Sequence, residues 1–280
     1  MLRLLLIANT AYKLRGPWRS LRDMNGSNVV VTGGSKGLGS EIVKELLERF
    51  PNVHVIVVDI SKPKVKNPRI TFYQCDLSVV EEVEQVLQRI KTEQHSIDVL
   101  INNAGMRSRY QSMMTLEAEE IRKVFQVNVF TPIRFIQELG PSEYDKQFYL
   151  VTIASALGIV APAALSSYAA TKSSAIAFHE SWTFELDNMN FFNVRTLLVL
   201  PGQLNTTMFQ GFAPPRQFFA PVVDSRKLAQ EIVANCEVGM RGVLCAPFYS
   251  NFMHLLKSLP YAVIHLVRRI SKMDSCLPLE

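Results

Sequence analysis

The sequence has few cysteines and histidines, and neither residue type is spaced like a binding motif. Its four cysteines among 280 residues show no paired spacing, which argues against a metal site and against a disulfide framework. We therefore expect a reducing compartment and no bound metal. The five histidines are scattered, and no two have the spacing of a ligand pair.

Net charge and long apolar runs are also limited. A net charge of +5 is too small and too dispersed to indicate a nucleic-acid partner. No uninterrupted apolar run reaches bilayer-spanning length, so we expect no conventional transmembrane helix. With 48% apolar residues, the chain can still bury the large core of one α/β domain.

The first 22 residues are basic and contain no acid. Their apolar run from Leu4 to Ala8 is too short to cross a bilayer. Three interpretations stay open: an amphipathic helix on a membrane surface, a mitochondrial targeting sequence, or a disordered basic arm.

Apolar strands alternate with helices along most of the chain. Short apolar runs predict strands at 29–31, 53–58, 70–75, 97–101, 148–153, 193–200 and 242–246. Helical periodicity falls between them at 42–50, 79–94, 116–139, 167–187 and 225–238, with Ser78 and Glu81 as a capping box. This pattern predicts a Rossmann-like, doubly wound parallel sheet of about seven strands with helices on both faces. Right-handed crossovers then place every carboxyl end of a strand at one edge.

A glycine-rich turn follows the first strand at that edge. It contains Thr32, Gly33, Ser35, Lys36, Gly37, Leu38 and Gly39. Glycines let the backbone approach a pyrophosphate, and the free N–H groups of the following helix attract its charge. Asp59 ends the next strand, where a carboxylate can accept hydrogen bonds from a ribose. Together these features predict a dinucleotide site.

Asp59 and Lys36 favour different dinucleotides. The carboxylate would bind a free 2′-hydroxyl and repel a 2′-phosphate, which favours NAD. The basic side chain inside the turn could meet that phosphate, which favours NADP. Because a buried carboxylate facing a phosphate is the costlier mismatch, we expect NAD, with NADP as the alternative.

Four further residues could take part in proton transfer. Tyr168 and Lys172 are neighbours on one helix face. The phenol of Tyr168 has an ordinary pKa of about 10, and the lysine cation together with an oxidised nicotinamide ring would lower this pKa. Ser155, at the end of the fifth strand, would hydrogen-bond a substrate oxygen. Asn128 lies mid-helix, where its amide would orient a water or a backbone group in a proton path to Lys172.

These residues resemble motifs of the short-chain dehydrogenase/reductase family. The turn Thr-Gly-x-x-x-Gly-x-Gly at 32–39 resembles its cofactor turn, and Asn128, Ser155, Tyr168 and Lys172 resemble its catalytic tetrad. The resemblance implies that Asp76 and Leu77 receive the adenine and that Asn103, Ala104 and Gly105 line the cofactor channel. It also implies that Lys172 holds the nicotinamide ribose and that Pro201, Gly202 and Thr206 contact the nicotinamide end. By analogy, the helices at 116–139 and 167–187 would form a homodimer or homotetramer.

Two apolar segments bear on the substrate. Residues 208–219 predict either an apolar lid or a loop whose aromatic side chains pack it down. Residues 252–270 suit a helical hairpin in the membrane interface, a dimer contact or a cover for the substrate site. We divide the chain into a basic arm (1–27), a Rossmann-fold catalytic domain (28–248) and an apolar helical tail (249–280).

The predicted function is NAD(P)-dependent interconversion of a hydrophobic secondary alcohol and its carbonyl compound. The tail loosely resembles that of membrane-associated family members that act on retinoids, steroids and other lipids. That resemblance implies an intracellular membrane, the endoplasmic reticulum or a lipid droplet, with the mitochondrion as the alternative. A second hypothesis is a catalytically weak dinucleotide-binding scaffold that docks a partner or a membrane through its tail.

Overall fold

In the computed structural model, the described residues are 2–24, 26–94, 96–141, 146–209 and 221–275. They form a parallel sheet whose strands are β1 (Ser27–Thr32), β2 (Val53–Asp59), β3 (Ile70–Gln74), β4 (Val99–Asn102), β5 (Phe148–Ile153), β6 (Val194–Pro201) and β7 (Gly242–Ala246). The seven strands lie in the order β3-β2-β1-β4-β5-β6-β7. The order reverses between β1 and β4, and a crevice opens at such a point in doubly wound folds. The predicted Rossmann-like sheet is therefore confirmed.

Helices cover both faces of this sheet. The α-helices of the described residues are α1 (Leu2–Lys13), α2 (Gly37–Arg49), α3 (Val80–Glu93), α4 (Ala118–Phe125), α5 (Thr131–Leu139), α6 (Ser166–Asn188), α7 (Ser225–Val238), α8 (Met253–Lys257) and α9 (Tyr261–Ser271). Val29 and Val31 of β1 pack with α2 and α7, whereas Val30 packs with α3, α5 and α6. This alternation follows from the two-residue period of a strand, and burial on both faces explains why the strands are apolar throughout.

The helix predicted at 116–139 is interrupted. Between α4 and α5, residues Gln126–Phe130 form a π-helical turn that contains Asn128. A π-helical turn inserts one extra residue into the helix, and such turns often occur at functional sites. The segment stays helical, but the side chains after the turn are rotated relative to a continuous α-helix.

The capping box predicted at Ser78 and Glu81 is wrong. Helix α3 has Val79 as its N-cap, and a valine side chain has no hydrogen-bonding group. Asp76 instead accepts hydrogen bonds from the backbone N–H of Ser78 at 2.9 Å and from its hydroxyl at 2.7 Å. Asp76 lies two residues after β3, and its hydrogen bonds with Ser78 form a turn that leads into the helix. Ser78 is held in that turn and does not cap α3.

The chain before β1 is held against the sheet by Arg195. This arginine is only 1% exposed, and its guanidinium donates to backbone carbonyls of Arg15, Gly16, Pro17, Phe192 and Gly239. Its guanidinium carbon lies 4.6 Å from the centroid of the Trp18 ring. Leu21 is buried in the same core as β1. Residues 15–21 are thus packed onto the domain, while Leu4, Leu5, Leu6 and Ile7 of α1 are 57–70% exposed.

Among the helices of the described ranges, none combines the length and the apolar character needed to cross a membrane.

Candidate active site

A cavity of about 900 Å³ lies at the carboxyl edge of the sheet. Sixteen of the predicted site residues line it: Gly33, Lys36, Gly37, Leu38, Asp59, Asp76, Leu77, Asn103, Ala104, Gly105, Ser155, Tyr168, Lys172, Pro201, Gly202 and Thr206. The other four predicted site residues lie behind the lining residues and support them through the contacts described below; they are Thr32, Ser35, Gly39 and Asn128. Residues from distant parts of the sequence therefore meet in one cleft, as the topology predicts.

The turn after β1 depends on its glycines. Gly33 and Gly37 have φ angles of +65° and +54°, a region that disfavours residues with a side chain. A Cβ on Gly39 would lie 2.2 Å from the carbonyl oxygen of Gly33 and 2.5 Å from Nδ2 of Asn103, so only glycine fits there. The N-cap of α2 is Lys36, whose side chain has no acceptor for the first N–H groups of the helix. Those groups can bind the phosphates of a dinucleotide.

Thr32 and Asn103 hold this turn against the end of β4. The Thr32 hydroxyl accepts from the backbone N–H groups of Asn103 and Ala104, each at 3.1 Å. In return, Nδ2 of Asn103 donates to the carbonyl oxygens of Thr32 at 2.9 Å and Gly33 at 3.1 Å. The two strand ends are thereby fixed relative to each other, which sets the shape of the cofactor end of the cavity.

Asp59 lies beside the glycine turn with both carboxylate oxygens in use. Oδ2 accepts from the backbone N–H of Ser35 at 3.0 Å, and Oδ1 accepts from that of Ser61 at 3.1 Å. Oδ1 also accepts from the Ser61 hydroxyl at 3.4 Å, so Oδ2 is the oxygen that keeps acceptor capacity for a further hydroxyl group. The cradle formed by the glycines and Asp59 therefore fits a pyrophosphate followed by a ribose.

Tyr168 and Lys172 are both buried where α6 meets the end of β5. The ammonium of Lys172 donates to the carbonyl oxygen of Ile153 at 2.9 Å and lies 5.8 Å from the centroid of the Tyr168 ring. Burial lowers the pKa of Lys172 to about 8. Burial raises the pKa of Tyr168 to about 12, although a hydrogen bond with Ser155 acts in the opposite direction. In the chain alone, burial dominates the pKa of Tyr168, and the predicted lowering by Lys172 together with an oxidised nicotinamide ring stays a prediction.

Ser155 stands at the start of a 3₁₀ turn (Ala156–Gly158) that follows β5. Its hydroxyl accepts from the N–H of Leu157 at 3.1 Å and lies 3.5 Å from the carbonyl oxygen of Pro201. Together with the hydrogen bond to Tyr168, these contacts fix the hydroxyl at the mouth of the strand. Ser155 and Tyr168 can therefore share one substrate oxygen.

Asn128 is buried behind the cavity and binds backbone. Its amide accepts from the N–H of Met106 at 2.9 Å and donates to the carbonyl oxygen of the same residue at 2.8 Å. Nδ2 also donates to the Thr171 hydroxyl at 2.9 Å. A Cβ on Gly105 would lie 3.5 Å from both the Asn128 amide oxygen and the Lys172 ammonium. Asn128 thus ties the loop after β4 to the helix of Tyr168, and its part in a proton path stays a prediction.

Sequence reasoning missed several residues at the site. Thr171, which stands between the two residues of the Tyr-x-x-x-Lys pattern, accepts the hydrogen bond by which Asn128 contacts α6. Tyr110 packs in one cluster with Leu165 and Tyr168 and acts to raise the pKa of the Tyr168 phenol. Spacing along the sequence gives no signal for Tyr110, because its loop reaches the site only through the fold.

The two apolar segments both reach the cavity. Met208 and Phe209 line it, and the Phe209 ring meets the Tyr168 ring edge-on at 5.5 Å. The rest of the proposed lid, 210–219, lies outside the described residues. Side chains of the tail also line the cavity, as expected for a cover over the substrate site; they are Tyr249, Phe252, Met253, Leu256, Val267, Ile270, Ser271 and Met273.

Comparisons with known proteins agree with this geometry. The family model for short chain dehydrogenase matches residues 27–217. The chain is 48% identical over 279 residues to the uncharacterized oxidoreductase TDA5 of Saccharomyces cerevisiae, covering 98% of this chain and 86% of that protein. It is 28% identical over 215 residues to retinol dehydrogenase 10-B of Danio rerio, covering 75% and 63% of the two chains.

A solved structure shows the same likeness. The structure of a short chain dehydrogenase from Burkholderia cenocepacia in complex with NADP superposes with a TM-score of 0.71 at 25% identity, covering 87% of this chain and 97% of that one. The family model matches well over half of the chain, and it includes the glycine turn, Asp59 and all four residues of the predicted tetrad. The chain therefore belongs to the short-chain dehydrogenase family of oxidoreductases.

Proposed function

We propose that the protein interconverts a hydrophobic secondary alcohol and the corresponding carbonyl compound, with NAD as its preferred cofactor. The observation that carries this proposal is the shared cavity. Ser155, Tyr168 and Lys172 line the same space as the glycine turn and Asp59. A dinucleotide bound along the turn would therefore lie beside groups that can position an oxygen and move a proton.

The cofactor end fits NAD in two respects. A Cβ on Gly33 or Gly39 would collide with the turn itself, 2.9 Å from Cα of Ala104 or 2.2 Å from the carbonyl oxygen of Gly33, so these glycines allow the tight turn that can present the first N–H groups of α2 to a pyrophosphate. The Asp59 carboxylate, fixed by the N–H groups of Ser35 and Ser61, suits a free 2′-hydroxyl better than a 2′-phosphate. Lys36 also lines this part of the cavity and supports NADP as the alternative.

The residues around Tyr168 would divide the chemistry among them. When bound, the nicotinamide ring supplies or accepts the hydride. Ser155 holds the substrate oxygen, and Tyr168 gives that oxygen a proton during reduction or takes it during oxidation. The phenol is protonated at neutral pH, as a donor must be, and the proposal requires the Lys172 cation and the bound cofactor to lower its raised pKa. Lys172, fixed on the carbonyl oxygen of Ile153, brings a cation near the ring.

Removing the phenol hydroxyl is the direct test. Tyr168→Phe keeps the ring contact with Phe209 and deletes the proton donor, so turnover should fall about 10²- to 10⁴-fold. Ketone reduction would be followed by loss of NADH absorbance, and NADH binding by fluorescence titration. Retained NADH binding with lost turnover supports the enzyme. A wild-type protein that binds NADH but turns over no member of a broad alcohol and ketone panel would instead favour the scaffold hypothesis.

We also propose that α1 contacts the surface of an intracellular membrane. Its four consecutive exposed side chains, Leu4 to Ile7, are apolar, and Arg3 and Lys13 flank them on the same helix. Such a helix can insert its apolar side chains at the head-group boundary. In a flotation assay with vesicles containing anionic phospholipid, the protein should float with the lipid, and the double variant Leu5→Glu, Leu6→Glu should not. Equal flotation of both proteins would refute this assignment.

Self-association is a further proposal. Phe178 and Phe184 of α6 and Phe130 beside α5 are 52–66% exposed, on the helices expected to meet in a homodimer or homotetramer. Light scattering coupled to size exclusion would give the mass of the particle. A single-chain mass at micromolar concentration would contradict the proposal.

A further inference from the structure

The part of the cavity formed by the tail is an apolar wall. We call Phe252, Met253, Leu256, Val267, Ile270 and Met273 the C-terminal wall; all six side chains are apolar, and all line the cavity. Val267, Ile270 and Ser271 are spaced three and four residues apart, so one face of α9 is turned to the cavity. Because none of the tail residues that line the cavity is charged, this wall fits an alkyl portion of a substrate better than a charged group.

The C-terminal wall lies outside the matched family region. The family model ends at residue 217, whereas the wall begins at Phe252. Met253, Leu256 and Met273 pack against Ile159, Val160 and Ile176, which belong to the loop after β5 and to α6. The tail is thus joined to the segment that leads from Ser155 to Tyr168.

Two charged residues fasten α9 to that same loop. Arg268 donates from Nε to Oδ2 of Asp274 at 2.9 Å and from Nη2 to the carbonyl oxygen of Ala161 at 2.9 Å. Oδ1 of Asp274 accepts from the backbone N–H of Ala163 at 2.9 Å. We call this arrangement the Arg268–Asp274 latch. It holds the backbone on both sides of Pro162, and Pro162 itself lines the cavity.

The position of Arg268 makes the latch relevant to substrate binding. It directly follows Val267 in α9 and precedes Ile270 by two residues, so a shift of Arg268 moves wall residues on either side of it. The two side chains are 26% and 34% exposed, so water weakens their charge attraction. The contribution of the latch is therefore mainly geometric: a paired guanidinium and carboxylate fix two backbone groups of the loop at once.

We propose that Arg268 and Asp274 are positioning residues that make the enzyme selective for carbonyl compounds and alcohols with a long alkyl chain. This inference rests on the proposed function, since it assigns the apolar wall to the substrate of the same site. A short substrate would reach Ser155 and Tyr168 without touching the wall. A long one would need the wall in place, so loss of the latch weakens its binding and leaves the chemical step unchanged.

The test compares two ketones, 2-butanone and 2-decanone, in Arg268→Gln, in Asp274→Asn and in the wild type. Both latch variants should raise the KM for 2-decanone at least tenfold, change the KM for 2-butanone less than twofold and leave kcat unchanged. Arg269→Gln is the matched control, because it removes the same charge from the neighbouring position of α9, which is exposed to solvent. It should leave both KM values as they are. Equal losses for the two ketones, or no loss for 2-decanone, would overturn the inference.

Calorimetric titration separates this inference from the proposed function. Binding of 2-decanone is measured on the protein saturated with NAD⁺, which cannot reduce a ketone, so no turnover occurs. A wild type that binds 2-decanone through the latch but never reduces it would refute the proposed function and support the latch. A wild type that does not bind 2-decanone would overturn the latch. Thermal unfolding of each variant shows whether a loss of binding reflects a loss of fold.

Discussion

Replacing Asp59 with asparagine tests the cofactor assignment most directly. The carboxylate accepts one backbone N–H on each oxygen, from Ser35 and from Ser61. An amide of the same shape keeps one acceptor oxygen and presents an NH₂ group to the other N–H donor. One of these part-buried N–H donors then loses its partner, at a cost of about 1 kcal/mol in the free energy of unfolding.

The same substitution acts in opposite directions on the two cofactors. It weakens the binding of NADH, and it relieves a repulsion that opposes the binding of NADPH. The loss of a charge-assisted hydrogen bond to the 2′-hydroxyl is worth about 1.5–3 kcal/mol, so the Kd for NADH should rise about tenfold to 150-fold. For NADPH, removal of the negative charge relieves a repulsion and offsets the damage to the turn. The ratio of the two dissociation constants should therefore shift at least about tenfold toward NADPH. Fluorescence titration of both dinucleotides against wild type and Asp59→Asn measures it.

Asp98→Asn provides the control for fold damage alone. Asp98 also accepts a backbone N–H, that of Asn28 at 2.8 Å, but it precedes β4 at the opposite edge of the sheet. It should leave the ratio of NADH to NADPH affinity unchanged, whichever way it moves the urea midpoint. If Asp59→Asn leaves that ratio within twofold of wild type, Asp59 does not read the 2′ position and the reasoning fails.

Two further predictions concern buried basic groups. Lys172→Met should abolish turnover yet raise Tm at pH 7, because a buried ammonium whose pKa falls from 10.5 to about 8 costs the fold up to about 3 kcal/mol. That penalty is complete below pH 8 and fades as pH rises toward 10.5, so the gain in Tm of Lys172→Met should be smaller at pH 10 than at pH 7. A variant less stable than wild type at pH 7 would contradict this prediction. His179 is buried against Thr152 with its pKa lowered to about 4, so the unfolded chain takes up a proton at about pH 6.5 while the folded chain does not. The free energy of unfolding should therefore fall by up to about 3 kcal/mol between pH 6.5 and 4. In urea titrations, His179→Gln should reduce this dependence of the free energy of unfolding on pH. An unchanged dependence would exclude His179 as its source.

Local patterns were sufficient to predict the sheet and much of the cleft. Strands such as β2 and β5 are apolar throughout because both faces are covered, and their carboxyl ends must meet at one edge once the crossovers are right-handed. Gly33, Asp59 and Ser155 could therefore be placed together before any contact was known. The glycine turn is similarly readable, because its positive φ angles and close approaches permit few other residues.

Other features depend on contacts between distant segments. The periodicity around Asn128 is helical whether or not one residue is inserted, so the π-helical turn has no distinct signature. In the chain alone, the pKa of Tyr168 is raised first by burial and then by the electrostatic effect of Tyr110, and neither follows from the spacing of Tyr168 and Lys172. The Arg268–Asp274 latch joins α9 to backbone groups about 110 positions earlier, and no spacing rule connects them.

The arginine beneath the N-terminal segment restricts where a protease could cut. Arg195 satisfies its guanidinium with carbonyl oxygens at positions 15, 16 and 17, and the Trp18 ring covers it. Cleavage beyond Trp18 would leave an ionised side chain in the interior with the two N–H donors of Nη2 unmatched, a defect that costs several kcal/mol. A removable leader peptide would therefore have to end before Arg15. Arg15, Gly16 and Pro17 are thus tied to the folded domain through Arg195.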